Sequence, residues 1–252
     1  MPVQSYIICT TPRSGSTLLC KLLAATEQAG QPDSHFHTPS LDRWLDVYGL
    51  NETTFRDDRE RLVAIFRAAH ARGTGEGRIF GLRMQRKSFP FFMAQARHLQ
   101  EGHLSDLEVL EAAFGATKII HLSRADKVEQ AVSLVIAEQS GLWHRAADGS
   151  ELERLTPAAE PIYDRDRIKW AMADLTRQDA EWEDWFSSQG VAPLRLTYSA
   201  LAHDPNAVLA EVLAELGLDP ALADGVRPPV AKLADARNAE WCARYKRSGD
   251  TP

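Results

Sequence analysis

The sequence has few cysteines, no long apolar run and no excess of positive charge. Its three cysteines, Cys9, Cys20 and Cys242, are widely spaced and form no CxxC pair. That pattern excludes a disulfide framework and a cysteine zinc site, and it predicts a cytoplasmic location. No stretch approaches the ~18 consecutive apolar residues of a membrane span, so stable membrane insertion is not expected. The start of the chain lacks a basic, apolar leader, so no signal peptide is expected either.

The net charge is −6, whereas proteins that bind nucleic acids or membrane surfaces usually carry a basic surface. Nucleic acid is therefore not an expected partner. An anionic small molecule can still bind where positive charge is concentrated at one place on an acidic protein. Local motifs therefore indicate the function better than the overall charge does.

Strands and helices alternate along the 252 residues. Short apolar runs rich in β-branched residues predict strands at 5–11, 78–85, 116–124 and 191–201. Segments with helical spacing of apolar residues lie between them. The alternation predicts an α/β fold with three layers, in which helices flank a central, mostly parallel sheet. No linker or repeat is visible, so one domain over residues 1–252 is predicted.

Two polar segments fall outside this alternation. Residues 141–161 are alanine-rich and polar, which predicts an exposed loop or lid, and residues 230–252 form a basic tail. The long helix predicted over 165–186 carries three tryptophans, which we assign to the core or to a subunit contact and not to a site: Trp170, Trp182 and Trp185.

A turn of small residues, PRSGST at 12–17, follows the first predicted strand directly. A strand–turn–helix of this kind surrounds an anion with backbone N–H groups at the positive end of a helix. Gly15 allows close backbone approach, and Arg13 supplies a permanent, forked charge. Hydroxyl donors come from Ser14, Ser16 and Thr17. Ser16 stands where a Walker loop has its lysine, and a plain junction capped by a serine is the alternative interpretation.

A second motif, HLSRADKVEQAVS, spans the end of the strand at 116–124 and the helix that follows. It puts Arg124 at the carboxyl end of the strand and Ser133 on the helix. Ligands in open α/β sheets bind off the carboxyl ends of the strands, so both residues are predicted to meet a second anionic group. The alternative for Arg124 is a surface ion pair with Asp126 or Glu129.

Together the two motifs resemble the sulfotransferases that use 3′-phosphoadenosine 5′-phosphosulfate, and more narrowly the bacterial trehalose 2-sulfotransferase family. The blocks that carry the likeness are TPRSGSTLL, AGQPDSHF, SRADKVEQAVS followed by GLWHR, and ADARNAEWCARYKR. The resemblance implies a P-loop-type fold, a homodimer, no metal, and transfer to a hydroxyl of a carbohydrate or glycolipid precursor.

The resemblance also implies roles for the two motifs. Arg13 and residues 14–17 would hold the 5′-phosphosulfate, while Arg124 and Ser133 would hold the 3′-phosphate. Lys232, or the basic cluster at 244–247, would close over the nucleotide. Because this donor needs neither a γ-phosphate nor magnesium, the missing Walker lysine is accounted for.

The general base is where the sequence departs from the family. In the family a glutamate follows the first helix, and an ungapped overlay puts Ser34 at that position. Serine is no general base at neutral pH, so we expect a neighbour to take the proton, in the order His35, Asp33 and His37. The alternatives are a turn role for Asp33 and plain loop side chains for the histidines.

The acceptor pocket is predicted to involve Ser34, His37, Trp143 and Arg83. Trp143 offers an aromatic platform for a sugar, although burial in the core is the commoner role of tryptophan. Arg83, at the end of the second predicted strand, is expected to point to the ligand edge. The alternative interpretation is a surface charge. Two other functions stay open from the sequence alone: a P-loop-type nucleotide kinase or phosphotransferase, and a nucleotide-binding homologue without activity.

Overall fold

The computed structural model describes residues 2–145, 150–227 and 236–247. The strands are β1 (Ser5–Thr10), β2 (Phe80–Gln85), β3 (Thr117–Ser123), β4 (Leu142–Arg145), β5 (Glu151–Arg154) and β6 (Leu194–Thr197). The helices are α1 (Ser16–Ala25), α2 (Leu41–Tyr48), α3 (Asp58–Thr74), α4 (Phe89–Arg97), α5 (Asp106–Phe114), α6 (Lys127–Ser140), α7 (Arg165–Gln189), α8 (Tyr198–His203), α9 (Pro205–Glu215) and α10 (Ala236–Arg247).

Four strands form the central sheet in the order β2-β1-β3-β6, and each neighbouring pair runs parallel. The predicted mostly parallel sheet is therefore confirmed. β1 lies between β2 and β3, so its loop to α1 opens at the middle of the carboxyl edge. This is the edge at which ligands bind in open α/β sheets.

Helices cover both faces of the sheet, as the alternation of side chains along β1 requires. Ile7 and Cys9 pack on one face with α2 to α5 and the second half of α7. Tyr6 and Ile8 pack on the other face with α1 and α9. A third apolar cluster joins α6, α7 and α10. The three-layer α/β prediction is confirmed by this arrangement.

The segment 141–161 differs from its prediction as an exposed loop. It contains an antiparallel hairpin of β4 and β5, and the Leu155 N–H closes it by donating to the Gly141 carbonyl oxygen at 2.9 Å. The first strand of the hairpin is partly buried, whereas β5 is largely exposed. Neither strand contains an apolar run rich in β-branched residues of the kind that predicted the other strands. Whether the hairpin acts as a lid stays a prediction.

The structure differs from the prediction in three other elements. The strand predicted over 191–201 ends at Thr197, whose side chain caps α8 by accepting from the Ala200 N–H. Helix α5 was not predicted, although Ser105 and Glu108 form a capping box at its start. The basic tail contains α10, which packs against α6. Within the described residues, no helix has the length and apolarity needed to cross a membrane.

The tryptophans of α7 divide between core and surface. Trp182 is fully buried and Trp185 nearly so, which confirms their predicted core role, while Trp170 is 51% exposed. The Trp182 indole N–H donates to the Thr10 carbonyl oxygen at 3.0 Å, so this side chain also supports the end of β1. The ring of Trp170 lies instead between Lys87 and Arg167 at the surface.

Replacing Trp182 with alanine is expected to destabilise the fold by about 3–5 kcal/mol, because it leaves a cavity under the end of β1. Trp170→Ala is the matched control, since it removes the same side chain from a half-exposed position on the same helix, α7. Its expected cost is below ~1 kcal/mol. Urea unfolding followed by circular dichroism measures both, and equal costs would contradict the packing described.

Candidate functional site

The loop between β1 and α1 has the backbone of an anion-binding turn. Gly15 has φ +89° and Arg13 has φ +63°, both in the left-handed region. Non-glycine residues seldom adopt this region, and where they do the surrounding structure holds them there. Among the described residues, no side chain caps the N-terminus of α1 at Gly15. The first N–H groups of the helix and its positive dipole therefore face the loop.

The three hydroxyls predicted to bind the anion face different ways. Ser14 is fully buried, and its Oγ forms a hydrogen bond with Thr10 Oγ1. Thr10 Oγ1 in turn donates to the Leu122 carbonyl oxygen at 2.8 Å. Ser14 thus ties the loop to the sheet below it. Ser16 is also buried, whereas the Thr17 hydroxyl contacts side chains at the mouth of the loop.

A buried polar network supports the loop from beneath. The Gln130 amide nitrogen donates to Thr11 Oγ1 at 3.0 Å and to the Pro12 carbonyl oxygen at 2.7 Å. Lys127 bonds Gln130 Oε1 and forms an ion pair with Asp179. Asp179 also accepts from the Thr11 hydroxyl at 3.2 Å. Because Gln130 is fully buried, these contacts fix the loop to α6 and α7.

The two motifs singled out in the sequence meet at Arg13. Its Nε donates to Ser133 Oγ on α6 at 3.0 Å. The Arg13 carbonyl oxygen accepts from an Arg124 guanidinium nitrogen at 3.3 Å. Burial, and then the charge of Arg124, lower the pKa of Arg13 to about 10. Two arginines and a serine from separate elements are therefore held beside one loop.

Arg124 is buried, with 7% of its surface exposed. It forms the ion pair with Glu129 that the alternative interpretation expected, at 2.8 Å, but it is no surface arginine. Its guanidinium carbon lies 4.2 Å from the centre of the Tyr198 ring. Among the described residues its buried Nε has no hydrogen-bond partner. An anion would supply an acceptor at this edge, where a buried donor is otherwise unsatisfied.

Arg83 joins the β1–α1 loop to the segment that follows α1. From the second half of β2, its guanidinium donates to Thr17 Oγ1 at 2.6 Å and to Ser34 Oγ at 2.8 Å. The remaining nitrogen pairs with Asp33 Oδ1 at 3.0 Å. Arg83 is no free surface charge, because its side chain is 15% exposed. Asp33 and Leu82 also form a parallel backbone bridge, which extends the sheet edge locally.

The three candidate bases are separated by the fold. His35 is 5% exposed, and its Nε2 pairs with the Gln31 carbonyl oxygen at 3.1 Å, away from the loop. Its ring packs against Phe80, and burial lowers its pKa. Asp33 is instead exposed beside Arg83. His37 is exposed too, and partial loss of hydration followed by the Arg83 charge lowers its pKa.

The β4–β5 hairpin closes the other side of the loop. An Arg13 guanidinium nitrogen donates to the Trp143 carbonyl oxygen at 2.6 Å. The Trp143 side chain packs against the apolar cluster of α6, α7 and α10, so its backbone and not its ring contacts the loop. His144 Nε2 lies 3.0 Å from Thr17 Oγ1 and 3.4 Å from a Glu153 carboxylate oxygen.

Several contacts at this site were not predicted from the sequence. Tyr198 directly follows β6, so its place at the carboxyl edge was the available signal. Lys127 and Gln130 belong to the quoted motif but were not singled out within it. His144 belongs to the quoted block GLWHR but was not singled out within it, and the hairpin that carries it was not predicted. Lys232 lies outside the described residues. Among the described residues, no group of three or more His, Cys, Asp or Glu side chains could hold a metal ion.

Comparisons with known proteins identify what the chain is similar to. The family model described as Stf0 sulphotransferase matches residues 5–248. A trehalose 2-sulfotransferase of Mycobacterium tuberculosis is 26% identical over 97% of this chain and 95% of its own length. One from Mycolicibacterium smegmatis is 28% identical over 96% of this chain and 94% of its own.

Among solved structures, the sulfotransferase domain of the Synechococcus PCC 7002 olefin synthase is 16% identical and covers the whole of this chain. The match spans 96% of that domain with a TM-score of 0.45. The family assignment therefore rests on the sequence match over residues 5–248 and not on this structural likeness.

Gly15→Ala is expected to destabilise the protein more than Gly49→Ala. Both sites have a positive φ, so each alanine costs about 1 kcal/mol of backbone strain. A Cβ at Gly15 would also lie 2.7 Å from the Tyr198 ring, whereas one at Gly49 meets nothing within 4 Å among the described residues. We expect an extra loss of about 1–3 kcal/mol at Gly15. Urea unfolding measures the difference, and equal losses would contradict the packing of Tyr198 against the loop.

Proposed function

Because the chain belongs to the Stf0 sulphotransferase family, we propose that it transfers the sulfuryl group of 3′-phosphoadenosine 5′-phosphosulfate to a hydroxyl group. The observation that carries this donor is the meeting of Arg13, Arg124 and Ser133 beside the β1–α1 loop. A donor with two separated anionic groups matches positive charge that comes from two separate motifs.

The residues divide between the two ends of this donor. Arg13, the loop N–H groups and the Thr17 hydroxyl bind the 5′-phosphosulfate, at the positive end of α1. Arg124 and Ser133 bind the 3′-phosphate, and the unsatisfied Arg124 Nε gains an acceptor there. Arginine suits both positions because its planar, forked donors match phosphate and sulfate oxygens.

During transfer a bond forms between the acceptor oxygen and sulfur while the bond from sulfur to the 5′-phosphate oxygen breaks. Negative charge grows on that departing oxygen, so donors already aimed at the loop stabilise the transition state. Arg13 and Arg83 supply this charge without reorganising, since each is held by several hydrogen bonds. The acceptor hydroxyl must also lose its proton.

We propose Asp33 as the general base that takes the proton of the acceptor hydroxyl. Its Oδ1 bonds Arg83 and the Ser34 N–H, so the carboxylate has a fixed orientation beside the phosphate loop. Ser34, which replaces the family's glutamate, has its hydroxyl occupied by Arg83 Nε. His35 points to Gln31 inside the protein and is dropped as the first choice. His37 keeps a secondary place, since it is exposed near the same arginine.

The acceptor is proposed to be a carbohydrate or a glycolipid precursor. The two relatives named trehalose 2-sulfotransferase support a sugar hydroxyl as the acceptor class. Residues 33–37, which border Arg83, form the acceptor side, where this sequence departs from the family pattern. Trehalose is therefore the first acceptor to assay, together with other sugars that carry free hydroxyls.

The donor site is tested by calorimetric titration with 3′-phosphoadenosine 5′-phosphate, beside ATP with magnesium. Wild type is expected to bind the bisphosphate. Arg124→Ala should lower that affinity by about 10–100-fold, because a charge-assisted contact to the ligand is lost. Arg195→Ala is the control, because it removes the same charge from the edge strand at an exposed ion pair with Glu183. Preference for ATP with magnesium, or equal effects of the two variants, would contradict the assignment.

The proposed base is tested with Asp33→Asn, which keeps an acceptor for Arg83 but cannot take a proton at neutral pH. Transfer of labelled sulfate to the sugars that wild type uses should slow by about 100-fold or more, with the affinity for the bisphosphate retained. His35→Gln should change the rate little. A near wild-type rate for Asp33→Asn would remove Asp33 as base, and no transfer by wild type to any sugar tested would favour a homologue without activity.

A further inference from the structure

We propose that His144 binds the 5′ end of the donor and takes up a proton from solvent as that anion binds. The proposal rests on the proposed function, because it assigns a further residue to the same donor site. It gives a role to a histidine that comes from the β4–β5 hairpin and reaches the phosphate loop from outside the parallel sheet.

The geometry places the His144 ring beside Thr17, the last residue of the turn at 12–17. His144 Nε2 is 3.0 Å from Thr17 Oγ1. The same oxygen accepts from Arg83 at 2.6 Å, so its own proton is free to point toward His144. Nε2 accepts that hydrogen bond in the tautomer with the proton on Nδ1, whereas a Glu153 carboxylate oxygen 3.4 Å from the same nitrogen favours a proton on Nε2. In both tautomers the Nε2 edge of the ring faces the mouth of the loop.

The surroundings keep the ring neutral in the absence of an anion. Burial comes first, and the positive charges of Arg13, Arg83 and Lys21 follow, so the pKa of His144 is lowered to about 3. These cations come from the phosphate loop, from β2 and from α1. Two carboxylates face the ring with the opposite effect: Asp33, before α2, and Glu153, on β5.

An anion at the loop reverses the dominant electrostatic contribution. The 5′ group of the donor would neutralise Arg13 and Arg83, the same charges that disfavour the protonated ring. Bound next to His144, it would also attract the imidazolium directly. The pKa of His144 therefore rises on binding, toward the ordinary value for histidine of ~6.5. By linkage, affinity for the donor increases as the pH falls through that raised value.

The proton is counted by titrating 3′-phosphoadenosine 5′-phosphate calorimetrically at pH 6.5 in buffers of different ionisation enthalpy. Its 5′-phosphate stands for the phosphosulfate of the donor. Wild type should take up about half a proton more per ligand than His144→Gln, if the raised pKa reaches ~6.5. Changes in ionisation of the ligand's own phosphates, whose second pKa is near ~6, are largely common to both proteins and cancel in the difference.

His37→Gln is the matched control, because His37 also lies near Arg83, Asp33 and Glu153. Proton uptake that survives in His37→Gln and is lost in His144→Gln supports the proposal. Uptake unchanged in His144→Gln, or lost in His37→Gln, overturns it. The ring signals of His144 in NMR spectra must titrate at a higher pH with the bisphosphate than without it. Binding of the bisphosphate without these proton effects contradicts this proposal alone, whereas absence of binding contradicts the proposed donor.

Discussion

Mutual repulsion of positive charge is the constraint on which this site depends. Arg13, Arg83 and Arg124 converge on one edge of the sheet in a protein whose net charge is −6. Arg83 is balanced by Asp33 and Arg124 by Glu129. The described contacts of the Arg13 guanidinium are a hydroxyl and a carbonyl oxygen, which orient the charge without neutralising it. The field at the loop therefore remains positive and available to an anion.

The fold holds these charges in place with neutral and paired groups buried below them. Gln130, Lys127 and Asp179 connect the loop to α6 and α7, so three segments far apart in sequence share one hydrogen-bond network. Ser14 performs the same task toward the sheet. Because each buried partner is satisfied by another, displacing one would leave others unpaired. The loop geometry is thus a property of the whole carboxyl edge and not of the local sequence alone.

How far the sequence predicts this structure depends on the range of the interactions involved. β1 and β3 were predictable, because buried parallel strands read as continuous apolar runs, and the loop and Arg124 followed from their position at strand ends. The hairpin was not, because β4 and β5 contain no apolar run and β4 is held by a contact to a distant loop. The sequence alone also cannot place the side chains of His35, Asp33 and His37 relative to the loop. Whether a loop side chain turns inward depends on packing such as that of His35 against Phe80.

The stack of Gly15, Tyr198 and Arg124 has a consequence for evolution of this protein. A glycine without a side chain lies against an aromatic ring, and that ring lies under a buried arginine. The distance between the β1–α1 loop and Arg124 is consequently set by rigid parts from three elements. Under the proposed function, in which the loop and Arg124 bind the two ends of the donor, a change of donor would therefore involve all three positions. The exposed side chains of Asp33 and His37, on the proposed acceptor side, lie outside this stack, so substitutions there can alter the proposed acceptor contacts and leave the stack intact.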